Sequence, residues 1–302
     1  MSTGPSPGFL NVLKPPGMTS HDVVAFVRRL VGGGKVGHLG TLDPTAGGVL
    51  PLALGAATRT LEFLPPARKA YRAEVTFGVE TDTLDAAGQV LARHPVVGLT
   101  AASLAAACQR YQGVLMQVPP RVSALRQGGR RSYERARRGE DFELPPRPAE
   151  FHAVRLLELR GEVALLDVDC GPGTYVRALA RDLGQDLGCG AHLSFLLRTR
   201  SGPFLLEDAV LLEDLQAGGV ADRLVPVGRL LARAGLPALE VERFTGGSGR
   251  ELAAGGPEPG PEPGAVVRLV DPSGIFLGLG RVLDHPARRV RVERVLQEGD
   301  SP

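Results

Sequence analysis

The sequence predicts an α+β fold, with helices scattered around a mixed sheet. Three observations carry that expectation. Strand-type alternation and helical periodicity are interleaved without the regular strand–helix–strand rhythm of a doubly wound sheet. Apolar residues make up 43% of the 302 positions, enough for a sizeable core, yet no apolar run approaches the ~18 residues of a membrane span. Beyond a stretch dense in glycine and proline at 246–264, only short strand-like runs remain.

The elements follow in order. Residues 1–8, rich in Pro, Gly and Ser, read as a tail, and a main domain spans 9–235. FLNVLK is a short strand closed by Pro15-Pro16-Gly17. Thr19 or Ser20 caps a helix over 21–31, where Val23, Val24, Val27, Leu30 and Val31 recur at helical spacing and Gly32–Gly34 end it. AYRAEVTFGV (70–79) alternates as a strand, TDTLDAAG turns the chain, and QVLARH follows. A helix is expected over 101–112. An insert at 117–150 holds little apolar material, several prolines and many arginines. Strand patterns return over 151–169, with VALLDVDC the clearest. Gly171-Pro172-Gly173 precedes a helix at 174–187 whose apolar face is Val176, Leu179, Ala180, Leu183 and Leu187. The pattern breaks near 226–236. From 236 to 302 the runs AVVRLVD, GIFLGLGRVL and RVRVERVL, separated by Pro-Ser-Gly and His-Pro turns, predict a small β domain.

Several classes of function are excluded by simple tests. GGGKVG (32–37) matches G-x-G-x-x-G, but a helix precedes it where a dinucleotide fingerprint needs a strand, and Val36 stands where a phosphate loop needs Ser or Thr. Cys108, Cys170 and Cys189 fit neither a zinc pair nor a disulfide framework, which predicts a cytoplasmic protein. The N-terminus lacks the basic start and apolar core of a secretory leader. Net charge is only +2, yet the basic side is almost all arginine, since Lys14, Lys35 and Lys69 are the sole lysines among 35 basic residues. A GC-rich codon bias accounts for that composition at least as well as function does, so location matters more than number. Residues 121–147 contain eight arginines against four acids, a local charge of +4. A basic finger of this kind suits a phosphate backbone, which Arg reads with a planar fork.

GHLGTLDPTAGGVLP (37–51) reads as a loop with one acid, Asp43, fixed by Pro44 and flanked by glycines. Its residues alone leave two readings open: an Asp-Pro turn that accepts local backbone hydrogen bonds, or a reactive carboxylate. The segment resembles the catalytic loop of pseudouridine synthases, most closely the TruB family, which acts on uridine 55 of tRNA. KPPGMTSHDVV (14–24), KAYRAEVTFGVETDTLDAAG (69–88), QVPPRVSALRQGGRRSYERAR (117–137), GPGTYVRALARDLG (171–184) and GCGAHLSFLLRTRSGPF (188–204) resemble that family's other motifs in order and cover most of 9–204. The last departs from the family in having Leu197 where an arginine is usual. Arg198 and Arg200 follow it, and the departure bears on one phosphate contact.

The resemblance implies the pseudouridine synthase fold, with an RNA-contacting insert and a β-barrel-like PUA domain at the C-terminus. It implies isomerisation of a T-loop uridine by base flipping and aspartate-dependent cleavage and re-formation of the glycosidic bond. By the same resemblance Asp43 is the essential aspartate, and Tyr71 packs on the target base. Arg177 pairs with the aspartate, Tyr175 and Leu196 line the uracil pocket, and His38 fills the gap left by the flipped base. Arg121, Arg126, Arg130, Arg131, Arg137 and Arg138 are expected on the RNA backbone. The expected partner is the T arm of tRNA, met by a monomer without cofactor, metal or membrane. A guide-RNA-dependent synthase shares these motifs, but the short N-terminus and lack of basic tails disfavour it. The joint presence of Asp43, Tyr71 and Arg177 disfavours a non-catalytic RNA chaperone.

Overall fold

The structure, a computed structural model, describes residues 5–123, 125–127, 130–132, 135, 138, 140, 142–242, 247–255, 260–284 and 289–296, with backbone alone at 126, 127, 130 and 131. The main-domain strands are β1 (Gly8–Lys14), β2 (Val36–His38), β3 (Gly47–Leu54), β4 (Lys69–Phe77), β5 (Val79–Thr81), β6 (Val90–Arg93), β7 (Gly113–Gln117), β8 (Arg126–Gln127), β9 (Arg130–Arg131), β10 (Arg147–Arg160), β11 (Val163–Cys170), β12 (Ala191–Ser201) and β13 (Phe204–Leu205). Nine of these form one mixed sheet in the order β1-β3-β12-β4-β11-β10-β7, with β2 and β13 attached at its side. β5–β6 and β8–β9 are separate hairpins. The helices are α1 (Ser20–Leu30), α2 (Ala101–Gln109), α3 (Val176–Asp186), α4 (Leu212–Gly218) and α5 (Val227–Arg233). No helix among the described residues is long and apolar enough to cross a membrane.

The mixed α/β sheet agrees with the expected fold class. Thr19 is the cap of α1: its side chain accepts from Asp22 N and the Asp22 carboxylate accepts from Thr19 N. That leaves Ser20 free for another task. The reading of 37–51 as a loop throughout is corrected here. Its end belongs to β3, in which every residue from Gly47 to Leu54 is buried, and its start belongs to β2. Both faces of β3 are covered, so its side chains are apolar in succession and show no alternation. The true loop is 39–46.

β3 pairs from Gly48 to Leu54 with β1 on one edge. Its other edge is shared: Gly47 and Gly48 pair in parallel with Leu197 and Arg198 of β12, while Leu52–Leu54 pair with β2. Between these two contacts the sheet forks, and the loop 39–46 leaves from the fork. Gly48, at φ +108°, lets β3 approach β12 so closely that a Cβ there would overlap the Arg198 backbone.

The C-terminal sheet contains β14 (Ala238–Glu240), β15 (Glu251–Ala253), β16 (Val266–Val270), β17 (Phe276–Val282) and β18 (Arg289–Val295), in the order β14-β16-β17-β18-β15. It has its own small core around Val267, Leu269, Val290 and Val292. A second cluster joins it to the main domain: Phe9, Val49 and Phe204 pack with Val227, Leu230 and Leu231 of α5 and with Leu236, Phe276, Leu279 and Leu296.

Candidate active site

The 39–46 loop is held by several elements. Arg198, fully buried on β12, donates from Nε to Val49 O at 2.7 Å, which lies in the fork of the sheet. Its Nη1 and Nη2 reach Thr41 O at 3.3 Å and Gly40 O at 3.1 Å. Ser20 takes Leu42 at both ends, accepting from its N–H at 2.9 Å and donating to its carbonyl at 3.1 Å. Pro44 O accepts from Gly17 N at 2.8 Å and from buried Lys14 Nζ at 3.4 Å. The loop is thereby fixed on both sides of Asp43, whose side chain stays 39% exposed.

Arg177, at the start of α3, meets Asp43 with Nε to Oδ2 at 2.9 Å. Its Nη1 donates to Thr83 O at 3.0 Å and its Nη2 to Val122 O at 2.9 Å, so the guanidinium is held from three sides. Asp85 Oδ2 lies 4.0 Å from the same Nε. Asp85 is itself locked in its turn, accepting at Oδ1 from Thr83 Oγ1 at 2.6 Å and Ala87 N at 3.1 Å. A cavity of about 240 Å³ opens above Asp43 and Arg177 and is lined also by Lys69, Tyr71, Tyr175 and Leu196. Tyr71 on β4 is paired in register with Arg198, whose positive charge lies near its hydroxyl. Burial pushes its hydroxyl up to about 12. Tyr175 is held through its backbone by the Gln117 amide, with contacts of 2.9 and 3.2 Å.

Five of the six predicted site residues therefore meet in one cavity. His38 does not line it. It stands at the end of β2 in an adjoining cavity of about 570 Å³, which Lys69 shares. Burial lowers the His38 pKa, with Arg198 and His21 adding to the effect, and its buried Nδ1 has no partner among the described residues. Of the predicted backbone-binding arginines, Arg121 donates to Glu140 O at 3.1 Å and stacks over Phe142, and Arg138 is exposed in a turn. Arg137 and the side chains of Arg126, Arg130 and Arg131 lie outside the described residues.

Two family models cover consecutive parts of this arrangement. TruB family pseudouridylate synthase (N terminal domain) matches residues 28–176, and tRNA pseudouridylate synthase B C-terminal domain matches 177–231. A protein named tRNA pseudouridine synthase B from Symbiobacterium thermophilum is 55% identical over 222 residues, 72% of this chain and 74% of its own. The chain belongs to the TruB family. A Moorella thermoacetica protein of the same name is 46% identical over 287 residues, covering 91% of this chain and 93% of its own. Among solved structures, a chain in an H/ACA RNP bound to a substrate RNA containing 2′-deoxyuridine superposes with a TM-score of 0.70 at 26% identity, over 95% of this chain and 84% of that one. A chain of a Cbf5-Nop10-Gar1 complex gives 0.69 at 27% identity, over 97% and 84%.

Sequence reasoning missed four residues that build this TruB-family site: Lys14, Ser20, Asp85 and Arg198. Arg198 does not make good the departure at Leu197, because its guanidinium is buried on the carbonyls of Val49, Thr41 and Gly40. In sequence nothing sets it apart from Arg200, two residues on. Asp85 was visible only as one acid of a turn.

Proposed function

We propose that this protein isomerises a uridine of the tRNA T loop, at position 55, to pseudouridine. The observation that carries the reading is the Asp43 carboxylate, held at 2.9 Å by Arg177 on the wall of a cavity lined by Tyr71, Tyr175 and Leu196. The reaction breaks the glycosidic carbon–nitrogen bond, turns the uracil and forms a carbon–carbon bond, with no change in oxidation state. A carboxylate serves it either by attack on the sugar or by attack on the ring, and both routes need Asp43 oriented toward the bound nucleotide. Arg177 supplies that orientation. Tyr71, neutral across the working pH range because burial raises its pKa, packs on the base, and Leu196 and Tyr175 close around it.

The uridine reaches the cavity by leaving its stack, and His38 fills the vacated place as a neutral ring. Arg121, Arg126, Arg130, Arg131, Arg137 and Arg138 clamp the T-arm backbone. The C-terminal sheet is an RNA-binding module of the PUA kind, and the chain acts as a cytoplasmic monomer. The deciding experiment is purified protein on an unmodified tRNA transcript, with no added RNA or protein. Conversion of one T-loop uridine supports the proposal. Dependence on a guide RNA, or binding without conversion, overturns it.

A further inference from the structure

The larger cavity beside the Asp43 site has an uneven distribution of charge. Its floor is apolar, with Leu39, Leu61, Phe204 and Leu230, while Arg68, Lys69, Arg200 and Arg233 line it and no carboxylate does. Asp169 stands behind two of those cations. Arg68 meets it with two parallel bonds, Nε to Oδ1 at 2.6 Å and Nη2 to Oδ2 at 2.7 Å. Arg200 Nη2 reaches both of its oxygens at 3.0 Å. The arginines come from separate segments, the approach to β4 and the end of β12, and one carboxylate at the end of β11 fixes both.

Lys69 connects this cluster to the Asp43 site, because it lines both cavities. Its ammonium makes no hydrogen bond or ion pair among the described residues, and its charged neighbours include Arg198. Burial lowers its pKa and Arg198 lowers it further, and an anion placed there would favour its charged form. Arg233 likewise has no partner among the described residues. Glu150 lies near Arg68, outside the cavity lining.

We propose that Asp169 is a positioning residue for a phosphodiester clamp: it holds Arg68 and Arg200 against the RNA strand that continues out of the Asp43 cavity, with Lys69 contacting the linkage beside the target uridine. This rests on the reading of the Asp43 cavity as a uridine site. A guanidinium fork fits phosphate oxygens with two parallel bonds, and Asp169 leaves Nη1 of each arginine uncommitted among the described hydrogen bonds. A strand entering one cavity must pass Lys69 to reach the other.

The test separates positioning from mere attraction, because the two predict opposite signs for Asp169→Asn. That change adds one unit of positive charge, so a simple basic patch would bind RNA more tightly. Positioning predicts the reverse: affinity for an unmodified T-arm stem-loop falls about tenfold, while the single-turnover rate at saturating enzyme stays within about threefold. A second measurement uses stem-loops carrying one neutral methylphosphonate linkage at successive positions around the target, each on a 2′-O-methyl nucleotide. Wild type loses about tenfold in affinity at one linkage beyond the one beside the target, and Arg68→Ala/Arg200→Ala, already weakened on natural RNA, is indifferent to that linkage while it stays sensitive to the one that Lys69 contacts. Equal or tighter binding by Asp169→Asn overturns the proposal. So does a double variant that stays as sensitive to every linkage as wild type, which also decides the matter if Asp169→Asn fails to fold. Wild-type conversion of the unmodified stem-loop is scored in the same series. Its absence would refute the uridine reading, whereas conversion without linkage-specific coupling refutes the clamp alone.

Discussion

The Asp43 carboxylate meets the Arg177 guanidinium at 2.9 Å, while its backbone carbonyl closes a turn with Ala46 N, so both readings of its sequence have a counterpart in the structure and one substitution distinguishes them. A turn-forming aspartate tolerates asparagine, since both suit Asx turns. A reacting carboxylate does not. Asp43→Asn is expected to fold and to bind tRNA within about tenfold of wild type, a change of no more than ~1.4 kcal/mol. Its single-turnover rate is expected to fall at least ~1,000-fold, about 4 kcal/mol of lost transition-state stabilisation. A folded variant that converts uridine within about tenfold of wild type would return Asp43 to a structural role. Lys14 makes a different prediction. Burial lowers its pKa to about 8 from 10.5, a shift that the nearby Asp43 opposes and Arg198 reinforces. Below pH 8 both folded and unfolded chains hold the proton, and the burial cost is carried in full. Between about 8 and 10.5 the unfolded chain binds more protons, so stability rises with pH. Urea unfolding of wild type should gain about 2 kcal/mol relative to Lys14→Met between about pH 7.5 and about pH 9.5. Parallel curves for the two proteins would show that Lys14 does not titrate there. The meeting of Asp43, Tyr71 and Arg177 was legible because the family resemblance gave each a place, which it did not do for Lys14 and Arg198 although they lie in its motifs. Nothing local distinguishes a buried cation satisfied by distant carbonyls from one facing solvent.

At the scale of elements, the site depends on how α3 is seated. The helix carries Arg177 in its first turn and Gly184 two turns later. A Cβ on Gly184 would overlap the backbone of Gly190 and Ala191, where the chain turns back to enter β12. The Cys189 and Gly190 amides bond to Gly184 O at 3.1 and 3.0 Å, so the contact is backbone on backbone and cannot be relieved by a rotamer change. Gly184→Ala should therefore push α3 away from β12 and carry Arg177 off Asp43. The expected outcome is a loss of about 1–3 kcal/mol or more in stability, with a fall in single-turnover rate at unchanged tRNA affinity. A variant that melts and reacts like wild type would mean that α3 is free to shift. The sequence made α1, α2, α3 and the strands β1, β4 and β11 readable, because each carries alternation or helical spacing. It concealed β3, whose two covered faces remove alternation and whose glycines resemble a turn. It also concealed the fork between β2 and β12, which is a property of three strands together and of no single one.

For the whole molecule, the question is whether the C-terminal sheet is an appendage. The pattern break near 226–236 suggested a boundary, and the chain does change character there. Yet the side chains on either side of that break share one core. Phe9, Val49 and Phe204 of the main domain and Val227, Leu230 and Leu231 of α5 are covered by Leu236, Phe276, Leu279 and Leu296. Burial of each such side chain contributes about 1.5–3 kcal/mol, whereas a folded domain has a margin of only about 5–15 kcal/mol. Removing four of them at once consumes most of that margin and leaves an exposed apolar patch. Truncation after Gly235 is therefore expected to reduce soluble yield and lower the thermal midpoint by ten degrees or more, on the order of several kcal/mol. It should also increase binding of an apolar dye. Loss of tRNA affinity in such a truncation would then report unfolding as well as any lost RNA contact. The division of labour between the two sheets is better read in the full chain, where binding and single-turnover rate are measured on one folded protein. A truncated protein that melts within about two degrees of the full chain would show that the shared cluster contributes little, and that the C-terminal sheet is joined to the main domain by its linker alone.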